Sequence, residues 1–229
     1  VRREVDPDAV PQHPVRAAIA DMAEGFRYMV RTPWLLATLL FASLMILAVM
    51  GPLEVLIPFL IKDRLGGDSG DHALVLAAFG IGGALGSLGM ASIRMPRRYL
   101  TLMNLMWGVA CVPFLVMGVA TAVWMVVVSA FVIGALFSAP MVIWGTLLQR
   151  RVPSALLGRV TSLDFFVSLA FMPVSMTLAG PVGAAVGLTP VFLAAGLVPL
   201  VVGAVALVLG RLGPDEVAHP LDAVPAEVR

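Results

Sequence analysis

Charge is scarce in this sequence: 13% of its 229 residues are Asp, Glu, Lys or Arg, while 60% are hydrophobic. An average soluble protein carries about 25% charged and roughly 45–50% apolar residues, so a water-solvated globule is excluded. The 15 basic and 14 acidic residues nearly cancel, and Lys62 is the single lysine. No basic footprint remains for nucleic acid, which is not expected as a partner. The one cysteine, Cys111, lies inside an apolar run, which leaves no disulfide framework and no thiolate metal site. His13, His72 and His219 fall outside the apolar runs, and neither an HExxH nor a G-x-S-x-G sequence occurs. Membrane catalysis has no visible apparatus, so no enzyme activity, metal or cofactor is expected. A Walker A sequence is also absent, so any transport would draw on an ion gradient or another subunit. The opening VRREVDPDAVPQHP is polar where a signal peptide has an apolar centre, so insertion is expected to be driven by internal segments.

Those segments are present in number. A hydrocarbon core about 30 Å thick needs about 20 mostly apolar residues in a helix. The chain divides into six such stretches, near 34–61, 73–93, 99–118, 122–148, 159–180 (with an extension toward 187) and 190–210. They are continuous and lack period-2 alternation, which favours helices over barrel strands. An all-α membrane protein with six transmembrane helices is the expected fold class.

Orientation follows from the loops, because cytoplasmic loops carry the excess of Arg and Lys. Arg2, Arg3, Arg16, Arg27 and Arg31 precede the first span; Arg94, Arg97 and Arg98 follow the second; Arg150, Arg151 and Arg159 surround the turn after the fourth; Arg211 and Arg229 follow the sixth. The other side has only Lys62 and Arg64, diluted by Asp63, Asp68 and Asp71. A multi-pass protein of the cell membrane with both termini cytoplasmic is expected. Just before the first span, Val15, Ile19, Met22, Phe26 and Met29 or Val30 recur at three and four residues, with Arg16, Asp21, Glu24, Arg27 and Arg31 elsewhere. That pattern predicts an amphipathic helix over 15–32, suited to the membrane interface or to a solvated connector. The stretch 212–229 is rich in Pro and charge and is expected to be a disordered cytoplasmic tail.

The spans do not read as an inert anchor. Pro52, Pro58, Pro113, Pro140, Pro173, Pro181 and Pro199 interrupt them, and helices broken this often are usually parts that bend. FGIGGALGSLGM in the second span offers a small face for close helix approach, for packing alone or as a gliding surface. Two carboxylates fall inside apolar runs, Glu54 between Pro52 and Pro58 and Asp164 five residues after Arg159. A carboxylate at membrane depth is costly unless paired, hydrated or protonated, so each is a proton-coupling candidate, with a structural hydrogen bond or ion pair as the alternative. Met50, Phe137, Met141, Trp144, Phe165 and Ser168 are candidates for an adaptable cavity wall, although lipid contact and helix packing explain most such side chains.

The stretches EGFRYMVRTPWL, GPLEVLIPFLIKDRLGG and QRRVPSALLGRV resemble the C-terminal six-helix half of the major facilitator superfamily, in its drug and siderophore exporter branch. GMASIRMPRR is similar to the family's loop signature G-x-x-x-D-R-x-G-R-R at Gly89, Arg94, Arg97 and Arg98. Ile93 stands at its Asp position and Pro96 at its Gly, which removes the acidic partner of that loop's charge relay. AGPVGAAVG resembles the antiporter Gly-Pro motif through Gly180, Pro181 and Gly183. The resemblance implies residues 1–14 as the end of a central cytoplasmic loop and 33–211 as a six-helix half-bundle. It further implies export of small amphipathic molecules by proton antiport and alternating access, with the lipid bilayer and an N-terminal six-helix half as partners. That half would be a separate chain or a missing part; a second copy of this chain, or a non-transporting scaffold or regulatory subunit, is the alternative.

Overall fold

The computed structural model describes residues 14–221, and every regular element among them is helical. Helix α1, Pro14–Arg31, precedes six helices long and apolar enough to cross a membrane: α2 (Pro33–Arg64), α3 (Ser69–Ser92), α4 (Tyr99–Gly118), α5 (Val123–Arg151), α6 (Ser154–Val186) and α7 (Leu188–Leu209). A short α8, Leu212–Ala218, closes the described chain. The chain is an all-α membrane protein with six spans, as its apolar runs require.

Local chemistry sets the boundaries. Thr32 is extended and Pro33 opens α2, where its missing N–H has no helical partner to lose. In α2, Pro52 and Pro58 divert the hydrogen-bond ladder into two π segments, Pro52–Leu56 and Leu60–Arg64. Asp68 and Asp71 form a reciprocal capping box at the start of α3. α6 continues through Pro173 and Pro181 to Val186, beyond the core expected from hydropathy, and stops at Gly187, whose φ of 88° no L side chain adopts without strain.

α3 packs chiefly along α5, and glycine makes this possible. A Cβ on Gly82 would overlap the carbonyl of Phe131, one on Gly86 that of Ala135, and one on Gly134 of α5 that of Phe79. α2 packs on α6 and α7, and α4 on α5 and α7. At the α2–α6 crossing Ser175 is stitched into the ladder of α2. Its hydroxyl accepts from Gly51 N at 2.7 Å and donates to Leu47 O at 2.7 Å, two groups that pair with each other in a regular helix. At the end opposite the arginine-rich loops, Arg64 ties three helix ends together by donating to Gly118 O at 2.7 Å and Thr189 Oγ1 at 3.0 Å. α3 and α6 are the least buried spans.

The tail expectation needs correction. Residues 212–221 are ordered, and α8 folds back beneath the bundle because its carboxylates have fixed partners. Glu216, 1% exposed, accepts from Leu100 N at 2.9 Å, Thr101 N at 3.0 Å and Thr101 Oγ1 at 2.7 Å. It thereby caps α4, whose first N–H groups would otherwise be orphaned in the core. Asp215 pairs with Arg151 at the end of α5, and Tyr99 Oη donates to His219 O at 2.8 Å. Residues 222–229 and most of the linker expected over 1–14 lie outside the described residues.

Candidate functional site: an aromatic and sulfur-lined cavity

Four spans line a partly open cavity of about 270 Å³. α2 contributes a stripe at helical spacing, Thr38, Ala42, Met45, Ile46 and Met50; α4 contributes Trp107; α5 Phe137, Met141 and Trp144; α6 Asp164, Phe165, Ser168 and Met172. The six residues singled out by sequence for a cavity wall, Met50, Phe137, Met141, Trp144, Phe165 and Ser168, therefore share one space. Its size lies near the lower end for small-molecule sites, and its composition is that of an apolar pocket with very few polar groups.

Among the described residues, Asp164 is the single ionisable one lining it. Its Oδ2 accepts from Trp144 Nε1 at 3.0 Å. Arg159, the neighbour that sequence offered as its ion-pair partner, instead engages Glu24 of α1. The reason is angular: five helical residues turn about 140°, so Arg159 and Asp164 leave α6 on different faces. Among the described residues, Asp164 thus faces the cavity without a cation beside it.

Trp144 also centres an aromatic cluster. Its ring meets Trp34 edge-on at 6.4 Å and Trp107 at 6.4 Å, both T-shaped geometries favoured by ring quadrupoles. Trp107 Nε1 donates to Phe137 O at 3.2 Å, a carbonyl in the turn that Pro140 loosens. Behind Trp34, the Arg151 guanidinium sits 4.6 Å from the ring centroid while pairing with Asp215. A continuous set of contacts therefore runs from Asp164 to α8. Trp107 and Trp34 were not singled out from sequence, because nothing in a linear apolar run tells which indole faces its neighbours.

The remaining sequence-selected residues lie elsewhere. Glu54 is exposed on the first π segment, does not line the cavity, and has no hydrogen bond or ion pair with a described residue. Arg94, Arg97 and Arg98 are exposed in the α3–α4 connection, Arg97 and Arg98 beside Glu216, while Gly89 has open space around it. Gly183 packs under Leu56 of α2, and Gly180 and Pro181 continue α6 one turn before its end. Among the described residues no group of three or more His, Cys, Asp or Glu could hold a metal.

Six spans packed in this order around such a cavity agree with the comparison to known families: the family described as transmembrane secretion effector matches residues 1–226. The chain belongs to that branch of the major facilitator superfamily. Its relatives are transport proteins. The chain is 34% identical over 200 residues to the multidrug efflux pump Tap of Mycolicibacterium fortuitum, covering 86% of this chain and 47% of that one. It is 30% identical over 221 residues to the protein of the same name from Mycobacterium tuberculosis H37Rv, covering 93% of this chain and 51% of the relative. The chain spans about half the length of these curated relatives. No solved structure matches it.

Proposed function

We propose that this chain is one half of a secondary active exporter of small amphipathic molecules, driven by proton antiport through alternating access. The cavity between α2, α4, α5 and α6 is its share of the substrate site. One observation carries the reading: an aromatic and sulfur-lined wall holds a single carboxylate, Asp164, oriented by Trp144 and with no cationic partner among the described residues. Such a wall accommodates varied apolar surfaces, and a lone carboxylate within a span can exchange a proton for substrate. Asp164 is therefore assigned the coupling role, with Glu54 second because it lies outside the cavity.

The half-transporter reading draws on the relatives, each about twice as long, and on exposed apolar side chains of α3 and α6, among them Leu76, Leu85, Phe165 and Phe166. A complementary six-helix half would cover these faces; a second copy of the chain is the alternative partner. The arginine distribution supports a cytoplasmic location for both ends of the chain.

The test is efflux of a lipophilic fluorescent dye from proteoliposomes under an imposed pH gradient, using the chain with its complementary half. Gradient-driven export lost in Asp164→Asn with dye binding retained supports the reading; wild-type export in that variant overturns it.

A further inference from the structure

The arginine-rich end of the bundle holds a second concavity, separate from the transport cavity. It lies between the C-terminus of α1, the start of α2, the C-terminus of α5 and the segment after α8, encloses about 570 Å³, and has Arg31, Arg150, Arg151, Asp215 and His219 as its ionisable walls, together with Tyr28. Arg151 is neutralised by Asp215, and the His219 ring stands 3.7 Å from the same carboxylate. The other two arginines are not neutralised. Arg31 makes no hydrogen bond or ion pair with any described residue, and Arg150 donates only to the Leu221 carbonyl, at 3.1 Å. Two guanidinium groups far apart in the sequence thus face one pocket with no carboxylate of their own among the described residues.

The depth of this pocket is fixed by α1. Met22, Phe26 and Val30 recur every four residues and are exposed, whereas Met29 is buried against the bundle. A helix with such an outward apolar stripe lies in the membrane interface, its apolar side chains dipping roughly 5–10 Å below the headgroups. Arg31 follows Val30 directly, and α2 enters its apolar run at Pro33. The pocket therefore opens at headgroup level. We infer that it binds a phosphate-bearing anion, with an anionic phospholipid headgroup as the source at this depth, held by Arg31 and Arg150. A guanidinium fork matches phosphate oxygens bidentately, and basic pockets between spans at this surface suit lipid headgroups. The inference is independent of what the transport cavity carries.

The test uses the full chain in nanodiscs of phosphatidylcholine with added phosphatidylglycerol, read by native mass spectrometry for retained lipid and by the apparent Tm. Phosphatidylglycerol should be retained and should raise the Tm. Arg31→Gln combined with Arg150→Gln should weaken retention about tenfold. Arg94→Gln combined with Arg98→Gln, which removes the same charge from the same end, should leave retention unchanged. Millimolar inorganic phosphate added to phosphatidylcholine discs separates the sources: an equal Tm rise assigns the site to free phosphate, and no rise assigns it to the lipid. Equal losses in the two double variants, or no preference of the wild-type chain for phosphatidylglycerol, would overturn the site.

Discussion

Trp144 Nε1 donates a 3.0 Å hydrogen bond to Asp164 Oδ2, joining the fourth and fifth spans across the wall of the cavity. This contact fixes which way the carboxylate points. Trp144→Phe keeps an aromatic ring and removes the donor, so it should cost about 1 kcal/mol, or roughly fivefold in dye affinity or efflux rate. Binding isotherms and efflux rates in the assembled transporter measure it. No change in either would mean that the indole does not orient Asp164.

The two membrane carboxylates should separate functionally. Asp164→Asn should flatten the pH dependence of dye binding and abolish gradient-driven export, whereas Glu54→Gln, outside the cavity, should keep most of both. The pair is compared in one proteoliposome assay. Loss of coupling in Glu54→Gln alone would move the proton path to the π segment of α2.

Glycine at the α3–α5 contact should be irreplaceable at some positions and free at others. Gly86→Val drives a side chain into the Ala135 carbonyl and should destabilise by about 1–3 kcal/mol or more, seen as a lower Tm and a poor yield of monodisperse protein. Gly89→Ala, with open space around it, should be neutral or slightly stabilising. Equal Tm losses in both would disprove the close-packing account of this helix pair.

Glu216 should matter to stability in spite of lying in the tail. Glu216→Ala leaves Leu100 N and Thr101 N without their acceptor, a cost of about 1–3 kcal/mol. Hydrogen exchange at the start of α4 should accelerate, while exchange at the α3–α5 contact stays unchanged. Unchanged exchange at residues 100 and 101 would show that the cap contributes nothing.

Orientation is open to a direct check. In a Cys111→Ala background, single cysteines at Ser69 and Ser154 lie at opposite ends of the bundle, at the start of α3 and at the start of α6. Membrane-impermeant maleimide should label them from opposite sides, position 154 from the cytoplasm. Labelling of both from one side would sink the six-span topology.

Span number, span type and expected orientation were legible in the sequence because hydropathy and loop charge are sums over neighbouring residues. The cavity wall was partly legible: Met and aromatic residues marked out Met50, Phe137, Met141, Trp144 and Phe165, with Ser168 named beside them. Their shared cavity was not, since they come from three helices whose relative rotation depends on packing. The helix at 212–218 was not legible because Pro and charge dominate the composition there; the partners that hold α8, Arg151 and the first N–H groups of α4, are far away in sequence.

By itself the sequence determined six membrane-spanning helices: only helices and closed barrels satisfy the backbone in lipid, and six continuous apolar runs without period-2 alternation select helices. It also determined that nearly all its charges would lie outside the spans, leaving Glu54 and Asp164 as the carboxylates inside apolar runs. Only the tertiary structure decided which of those carboxylates faces a cavity. Asp164 lies about 140° around α6 from Arg159 and meets Trp144 of another span, and that meeting depends on how α5 and α6 rotate against α2 and α4. Helix rotation is set by side-chain packing over the whole bundle, which no local window of sequence contains.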